Sequence, residues 1–126
     1  MRHVLVIEDQ WLFAQFVADV AMCAGASSVA IADTADAAVA LAHQHKPAVI
    51  LCDVDLRAGG RGPDAVGRIH REVGSAPAIF ITGNPDHEGA LRHAAAILAK
   101  PVSPDQLLET FREVVKRLPA RHTLAH

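Results

Sequence analysis

Reactive side chains follow apolar runs at four places in this sequence. Glu8 and Asp9 come directly after the first run, and Asp53 follows a run near the middle of the chain. Thr82 and Lys100 follow two later runs. Because ligands of open parallel α/β sheets bind beyond the carboxyl ends of the strands, we expect these groups to converge on one pocket. Carboxylates without paired thiols suit a hard cation such as Mg²⁺, so the pattern predicts a magnesium-dependent site that handles phosphoryl groups.

Strands and helices are predicted to alternate along the whole chain. The apolar runs are mostly continuous, which is typical of parallel strands that are buried on both faces. They predict strands over residues 3–7, 28–32, 48–52, 78–81 and 95–99. Apolar residues at helical spacing lie between and after these runs. The elements therefore indicate an α/β domain built on a parallel sheet.

The predicted helices differ in how clearly the sequence marks them. Apolar residues mark the first four near positions 12–20, 35–42, 66–73 and 86–93, the fourth only weakly. The fifth has the clearest start, with Ser103 as N-cap, Pro104 at the first helical position and Gln106 as capping-box partner. Pro119 is expected to end it. Trp11 is expected to pack at the start of the first helix.

Length and composition set the broad class. A chain of 126 residues that is 51% hydrophobic can fill one core and has no room for a second domain. The net charge is −2 and the basic residues are scattered, which does not indicate a nucleic-acid surface. Cys23 and Cys52 form no Cys-x-x-Cys pair, so we expect two core thiols in a reduced cytosol. No stretch approaches the roughly 18 apolar residues of a membrane span, and a soluble cytoplasmic protein is expected.

Four motifs together resemble the receiver domains of bacterial two-component response regulators. They are VLVIED near the start, VILCDVDL in the middle, AIFITG later, and LAKPVSPDQLLE near the end. Each motif alone is weak, but their order and their places at strand ends are specific. The resemblance implies a doubly wound, flavodoxin-like (βα)5 three-layer sandwich with parallel strand order 2-1-3-4-5. Residues 1–119 would form the receiver domain, and residues 120–126 would be a tail or linker stub.

The resemblance also assigns roles to the acidic residues. It implies that Asp53 is the nucleophile that accepts a phosphoryl group from a phosphohistidine. It implies that Mg²⁺ is bound by Asp9 directly, by Glu8 through water, by Asp53, and by the main-chain carbonyl of Asp55. A metal in such a site clamps the attacking and phosphoryl oxygens together, because phosphoryl transfer depends mostly on positioning and charge neutralisation.

The remaining motif residues are expected to act on the phosphoryl group. By the resemblance, Lys100 pairs with one phosphoryl oxygen and the Thr82 hydroxyl hydrogen-bonds to another. Gly83 would leave space for the incoming group, and Lys100–Pro101 would be a cis peptide. The expected partners are a sensor histidine kinase or phosphotransfer protein and a downstream protein target. We do not expect nucleic-acid binding, membrane insertion or multiple-turnover enzyme activity.

The sequence also departs from the receiver pattern. The position three before the lysine, often aromatic in receivers and coupled to the threonine, is Ile97. Arg57 replaces a common proline, in a glycine-rich turn that is about one residue longer than usual. Together with Phe80-Ile81-Thr82-Gly83, these features are similar to a subgroup of single-domain receivers with a Phe-x-Thr-Gly strand end. The usual aromatic readout is therefore not expected.

Three other interpretations remain at this point. Asp53-Val54-Asp55 also resembles the nucleophile motif of haloacid-dehalogenase-type phosphatases, but their second acidic pair follows the lysine, whereas Glu8 and Asp9 precede every other motif. A receiver-like binding module that signals without phosphorylation is a second alternative, although every motif residue for the chemistry is present. Thirdly, Glu8 and Asp9 could merely cap the first helix.

The predicted crowding of three acidic residues should raise their carboxyl pKa values. In the metal-free protein, Glu8, Asp9 and Asp53 are expected to repel one another, and burial further disfavours ionised carboxylates. We therefore expect the carboxyl pKa values of all three clustered acids to be raised. Lys100 would offset only part of the repulsion.

Overall fold

Strands and helices alternate as predicted. The computed structural model describes residues 2–119, and the segment 120–126, expected to be a tail, lies outside them. The elements are β1 (Arg2–Ile7), α1 (Trp11–Cys23), β2 (Ala26–Ala32), α2 (Ala35–Gln44), β3 (Val49–Cys52), α3 (Gly62–Glu72), β4 (Ala78–Thr82), α4 (Glu88–His93), β5 (Ala94–Ala99) and α5 (Pro104–Lys116). A short 3-10 helix, Arg57–Gly59, lies between β3 and α3.

The five strands form one parallel sheet in the order β2-β1-β3-β4-β5, and the predicted fold class and order are confirmed. Continuous apolar runs form the inner strands β3 and β4, and every residue of these two strands is buried. β2 lies on one side of β1, and the chain then crosses to the other side of β1 to form β3. The strand order therefore reverses between β1 and β3. Ligand crevices of such sheets lie at the carboxyl ends next to this reversal.

Helices cover both faces of the sheet and enclose two apolar clusters. One cluster packs under α2, α3 and α4 and includes the fully buried Phe80. The other packs under α1 and α5 and includes Phe111, which is 2% exposed. Burial of such side chains stabilises a domain by about 1.5–3 kcal/mol each. The three layers hold the sheet, and therefore its carboxyl edge, in one arrangement.

The first helix differs from its prediction. Its buried face is formed by small residues at helical spacing, Ala14, Val17, Ala18 and Ala21. These let the backbone of α1 approach the sheet closely. Leu12, expected in the apolar stripe, is 78% exposed.

Two further packing predictions were wrong. Trp11 is 67% exposed and does not pack into the start of α1. Cys23 is exposed at the end of α1, whereas Cys52 is buried as expected. Trp11 and Cys23 are the first and last residues of α1, and at a helix end residue type alone does not show whether a side chain faces the sheet or the solvent.

The ends of the later helices follow their capping residues. α3 begins at Gly62, before its predicted apolar stripe, because Pro63 suits the first helical turn. At the start of α5, Ser103 accepts a hydrogen bond from the Gln106 N–H, and the Gln106 side chain returns to the Ser103 N–H. The predicted capping box is confirmed. α5 ends at Lys116, ahead of Pro119, since the residues before a proline disfavour helical geometry.

No helix within residues 2–119 is long and apolar enough to cross a membrane.

Candidate functional site

The predicted site residues lie at the carboxyl edge of the sheet because the strand ladder continues just past each strand. The Asp53 N–H donates to the Ile7 carbonyl at 2.9 Å, and the Lys100 N–H donates to the Thr82 carbonyl at 2.9 Å. The Glu8 N–H donates to the end of β2 at 2.9 Å. These bonds tie each residue to the neighbouring strand and set the direction of its side chain.

Three carboxylates meet at this edge. One oxygen each from Glu8, Asp9 and Asp53 lies within 4.8 Å of the others. The side chain of Glu8 is 3% exposed, that of Asp53 is 12% exposed and that of Asp9 is 14% exposed. The cluster is therefore largely withdrawn from water, while Asp9 and Asp53 keep a small exposed fraction.

Lys100 lies between two of these carboxylates. Its Nζ is 3.3 Å from Glu8 Oε1 and 3.4 Å from Asp53 Oδ2, and it lies 4.3 Å from the centre of the Phe13 ring. An ammonium over an aromatic face is attracted by the ring quadrupole. Phe13 therefore holds the lysine over the acids. The Lys100–Pro101 peptide is cis, as expected.

The other oxygens of the same two carboxylates bind main-chain N–H groups. Asp53 Oδ1 accepts from the Val54 N–H at 2.8 Å, and Glu8 Oε2 accepts from the Gln10 N–H at 3.0 Å. Gln10 is the N-cap of α1, and its side chain makes no cap bond. Glu8 thus holds the turn ahead of the helix, and neither Glu8 nor Asp9 occupies the N-cap position.

Burial is the main cause of the perturbed carboxyl pKa values. It raises the pKa of Asp53, while Lys100 and the Val54 N–H oppose the rise. It also raises the pKa of Glu8, where the charge of Asp53 adds a smaller upward effect and the Gln10 N–H opposes it. The raised pKa values expected from the sequence are confirmed for Glu8 and Asp53, but repulsion between the acids is secondary to desolvation.

Thr82 reaches the same edge as the last residue of β4 and is 1% exposed. Its Oγ1 accepts a hydrogen bond from the Asn84 N–H at 3.0 Å. In the described part of the chain the hydroxyl therefore binds its own loop and not a carboxylate of the cluster. A Cβ at Gly83 would meet no atom within 4 Å, so packing alone does not require a glycine there.

The loop after β3 forms one wall of the site. Asp55 is exposed and forms an antiparallel bridge with Arg61 across the loop. The Gly62 N–H donates to the Val54 carbonyl at 2.8 Å. A Cβ at Gly62 would come within 1.8 Å of the Asp53 main-chain oxygen, so only glycine permits this approach.

Burial also raises the pKa of the Cys52 thiol well above its usual range. The thiol therefore stays neutral, and its Sγ donates to the Asp53 carbonyl at 3.0 Å. Cys52 supports the backbone of Asp53 and does not offer a thiolate to the site.

Sequence reasoning missed three contacts around the cluster. Phe13 supports Lys100, and Arg57 Nε lies 3.7 Å from Asp9 Oδ2. Arg61 Nη1 lies 3.0 Å from Nε2 of His87, the N-cap of α4. All three join residues from different elements, and no spacing rule in the sequence pointed to them.

Comparison with known proteins agrees with this geometry. The sequence matches the response regulator receiver domain family over residues 4–112. It is 34% identical over 105 residues to the Phyllosphere-induced regulator PhyR of Methylorubrum extorquens. That match covers 81% of this chain but 39% of the relative, so the chain spans about two fifths of the relative's length.

Solved structures show the same architecture. A CheY-like receiver domain protein from Methanospirillum hungatei superposes with a TM-score of 0.83 at 24% identity, covering 94% of this chain and 96% of that one. A mutant of the anti-anti-sigma factor PhyR from Bartonella quintana superposes with a TM-score of 0.72 at 32% identity, covering 89% of this chain and 50% of that one. The chain belongs to the response regulator receiver domain family and is a phosphoacceptor module of two-component signal transduction.

Proposed function

We propose that Asp53 is the residue that accepts the phosphoryl group, from a phosphohistidine on a sensor histidine kinase or a phosphotransfer protein. The observation that carries this proposal is the setting of its carboxylate. One oxygen is held by the Val54 N–H and the other lies beside Lys100, on an edge open to solvent. A carboxylate oxygen forms the new O–P bond as the N–P bond of the donor breaks, and the electron pair of that bond stays on the imidazole nitrogen.

Lys100 and Thr82 would stabilise the product. The Lys100 ammonium already spans Glu8 and Asp53, so a small movement places it beside a phosphoryl oxygen on Asp53. The Thr82 hydroxyl lies at the end of the adjacent strand and could turn from Asn84 toward the same group. Both residues would neutralise or bind the equatorial oxygens, which carry the charge in phosphoryl transfer.

Receiver domains bind Mg²⁺ at an acidic pocket, and the donor set here fits that ion. Glu8, Asp9 and Asp53 offer three clustered carboxylates, and burial keeps the neighbouring thiol neutral, which leaves a set of hard oxygen donors. We assign these three side chains and the main-chain carbonyl of Asp55 as the groups that would hold the metal. Bound there, Mg²⁺ supplies positive charge for the oxygens of the transferred group.

We extend the proposal to the domain boundaries, the output and the cellular compartment of the protein. Residues 1–119 would be the receiver domain, and residues 120–126 a tail or linker. The output would be contact with a downstream protein, without turnover of a substrate. Two unpaired cysteines, Cys23 and Cys52, support a reducing cytoplasmic setting. The anti-anti-sigma activity named for the Bartonella protein belongs to a chain of which half is matched here.

Incubation with acetyl phosphate and Mg²⁺ tests the assignment. Intact-mass analysis should show one added phosphoryl group, labile in acid and base, and Asp53→Asn should abolish it. Asp36→Asn, which removes an exposed carboxylate of α2, is the matched control and should label like wild type. Equal labelling of wild type and Asp53→Asn would disprove the role of Asp53.

A second assay separates the receiver from a phosphatase. With a chromogenic phosphate monoester in excess, a receiver should release no more than about one equivalent of product per protein. Release of many equivalents would instead support haloacid-dehalogenase-type chemistry.

A further inference from the structure

Arg57 has a backbone conformation unlike that of any other non-glycine residue in the described chain. Its φ is +49°, in the left-handed region, where a side chain with a Cβ is disfavoured. Conformations of this kind persist only where surrounding contacts hold them, and they cluster at functional sites. The strain at Arg57 therefore calls for an explanation in its contacts.

The surrounding turn holds Arg57 firmly. The Gly59 N–H donates to the Leu56 carbonyl at 2.7 Å, and the Leu56 N–H donates to the Gly60 carbonyl at 3.2 Å. Leu56 itself is 1% exposed and packs in the core. The turn is thus held at Leu56, Gly59 and Gly60, and from it the Arg57 side chain reaches Asp9 of the acidic cluster.

The guanidinium reaches the carboxylate that Lys100 does not. Arg57 Nε lies 3.7 Å from Asp9 Oδ2, whereas Lys100 lies between Glu8 and Asp53. All three carboxylates therefore have a nearby side-chain cation. The two cations differ in freedom, since the Arg57 side chain is 74% exposed and that of Lys100 is 24% exposed.

We propose that Arg57 competes with the divalent cation for Asp9 and so sets the affinity of the site for that ion. This inference rests on the proposed metal site. A cation that binds Asp9 meets a guanidinium already placed beside this carboxylate, and the exposed arginine can move away into solvent. Lys100 is held against Phe13 and cannot leave as easily. Arg57 thus neutralises Asp9 in the metal-free protein and weakens cation binding.

Titration calorimetry with MgCl₂ tests the proposal on Arg57→Gln and Arg57→Lys. Both variants keep a Cβ and therefore the same backbone strain, so they differ from each other mainly in charge. Arg57→Gln should bind Mg²⁺ about threefold to tenfold more tightly than wild type, the range for loss of one partly exposed ion pair and of repulsion from a nearby cation. Arg57→Lys should stay within about twofold of wild type by the same reasoning.

Arg61→Gln is the matched control. Arg61 is an exposed arginine of the same loop, and its guanidinium contacts His87 and not Asp9. Its substitution should leave the Mg²⁺ affinity within about twofold of wild type. The gain in Arg57→Gln should also shrink at high ionic strength, because salt screens the exposed pair.

Arg57→Gly is a second neutral variant, which keeps the test decisive if Arg57→Gln fails to fold. Glycine accepts the left-handed conformation at this position without strain. This variant should show the same tighter binding as Arg57→Gln. Unchanged or weaker binding by both neutral variants would overturn the inference and leave the metal site intact. An equal gain in Arg61→Gln would overturn it too, because the effect would then be one of net charge. If wild type itself bound no Mg²⁺, the proposed metal site would fail and this inference with it.

Discussion

Asp53 and Glu8 are ionisable groups held where charge is costly. Each carboxylate has one oxygen on a main-chain N–H and the other on Lys100, and burial still raises both pKa values. The protein thus keeps the proposed phosphoacceptor, Asp53, and the neighbouring Glu8 in a setting that favours their protonation or their pairing with a cation. Such perturbed groups in an open crevice are typical of functional sites.

The raised pKa values predict how the stability of the metal-free protein depends on pH. A carboxyl whose pKa is higher in the folded than in the unfolded state binds more protons when folded. The free energy of unfolding therefore falls as the pH rises from the ordinary carboxyl range, about 4, through the folded pKa values. Urea unfolding in EDTA at a series of pH values should show this fall.

Asp53→Asn isolates one of these groups. Without metal, this variant should be more stable than wild type at pH 7, and the difference should narrow as the pH falls and wild-type Asp53 becomes protonated. Glu109→Gln removes an exposed acid from α5 and should show no such pH-dependent gain. If Asp53→Asn were less stable than wild type at pH 7, the pair with Lys100 would outweigh the cost of burying Asp53.

Some site residues could be predicted from the sequence because one rule places them. Glu8, Asp53 and Lys100 each follow an apolar run, and parallel strands bring their carboxyl ends to a common edge. The contact between Arg57 and Asp9 depends instead on a left-handed turn that no residue type announces. Contacts between side chains of separate elements require the packed structure.

Some strands and helices could likewise be predicted from the sequence, and others could not. The buried strands were predictable because their apolar runs are continuous, and the start of α5 because its cap is complete. The orientation of α1 could not be predicted in this way, because its buried face is largely alanine and its large residues lie beside that face. Alanine carries little hydrophobic signal, so the buried side of α1 depends on how closely the helix can approach the sheet.

The segment between β4 and α4 is where phosphorylation should change the structure. Ile97 pairs in register with Phe80 and packs against the core, so no aromatic switch residue occupies that position. Thr82 instead connects to this segment through the Asn84 N–H, and His87 is the N-cap of α4. If the Thr82 hydroxyl turns to a phosphoryl group, the Asn84 N–H loses its acceptor.

We therefore predict that phosphorylation speeds amide hydrogen exchange over residues 83–93. Exchange followed by mass spectrometry should show this change with acetyl phosphate and Mg²⁺, while α2 (Ala35–Gln44) stays unchanged. In Thr82→Ala the Asn84 N–H already lacks this acceptor, so phosphorylation should alter exchange there much less. A change confined to the amino-terminal edge of the sheet would contradict this readout.

At the scale of the whole molecule, two apolar layers hold an acidic edge in place. The clusters on the two faces fix β1, β3 and β4, and these strands bring Glu8, Asp53 and Thr82 to that edge. The unfolded chain has no such arrangement, so a cation that needs several of these carboxylates binds the folded protein alone. Cation binding and folding are therefore linked.

This linkage predicts a rise in stability with Mg²⁺. By mass action, a ligand at a hundredfold excess over its dissociation constant stabilises the folded state by about 2.7 kcal/mol. Thermal unfolding should show a melting temperature that increases with Mg²⁺ concentration. Asp9→Asn should lose this response because it removes a carboxylate of the proposed metal site.

The metal-free stability of Asp9→Asn decides between a metal site and a structural role. The pair between Asp9 and Arg57 is largely exposed on the arginine side and is worth no more than about 1 kcal/mol. Loss of that pair is offset by relief of repulsion from Glu8 and Asp53, so the variant should be at least as stable as wild type in EDTA. If it were much less stable, or kept the full Mg²⁺ response, Asp9 would support the fold rather than hold the metal.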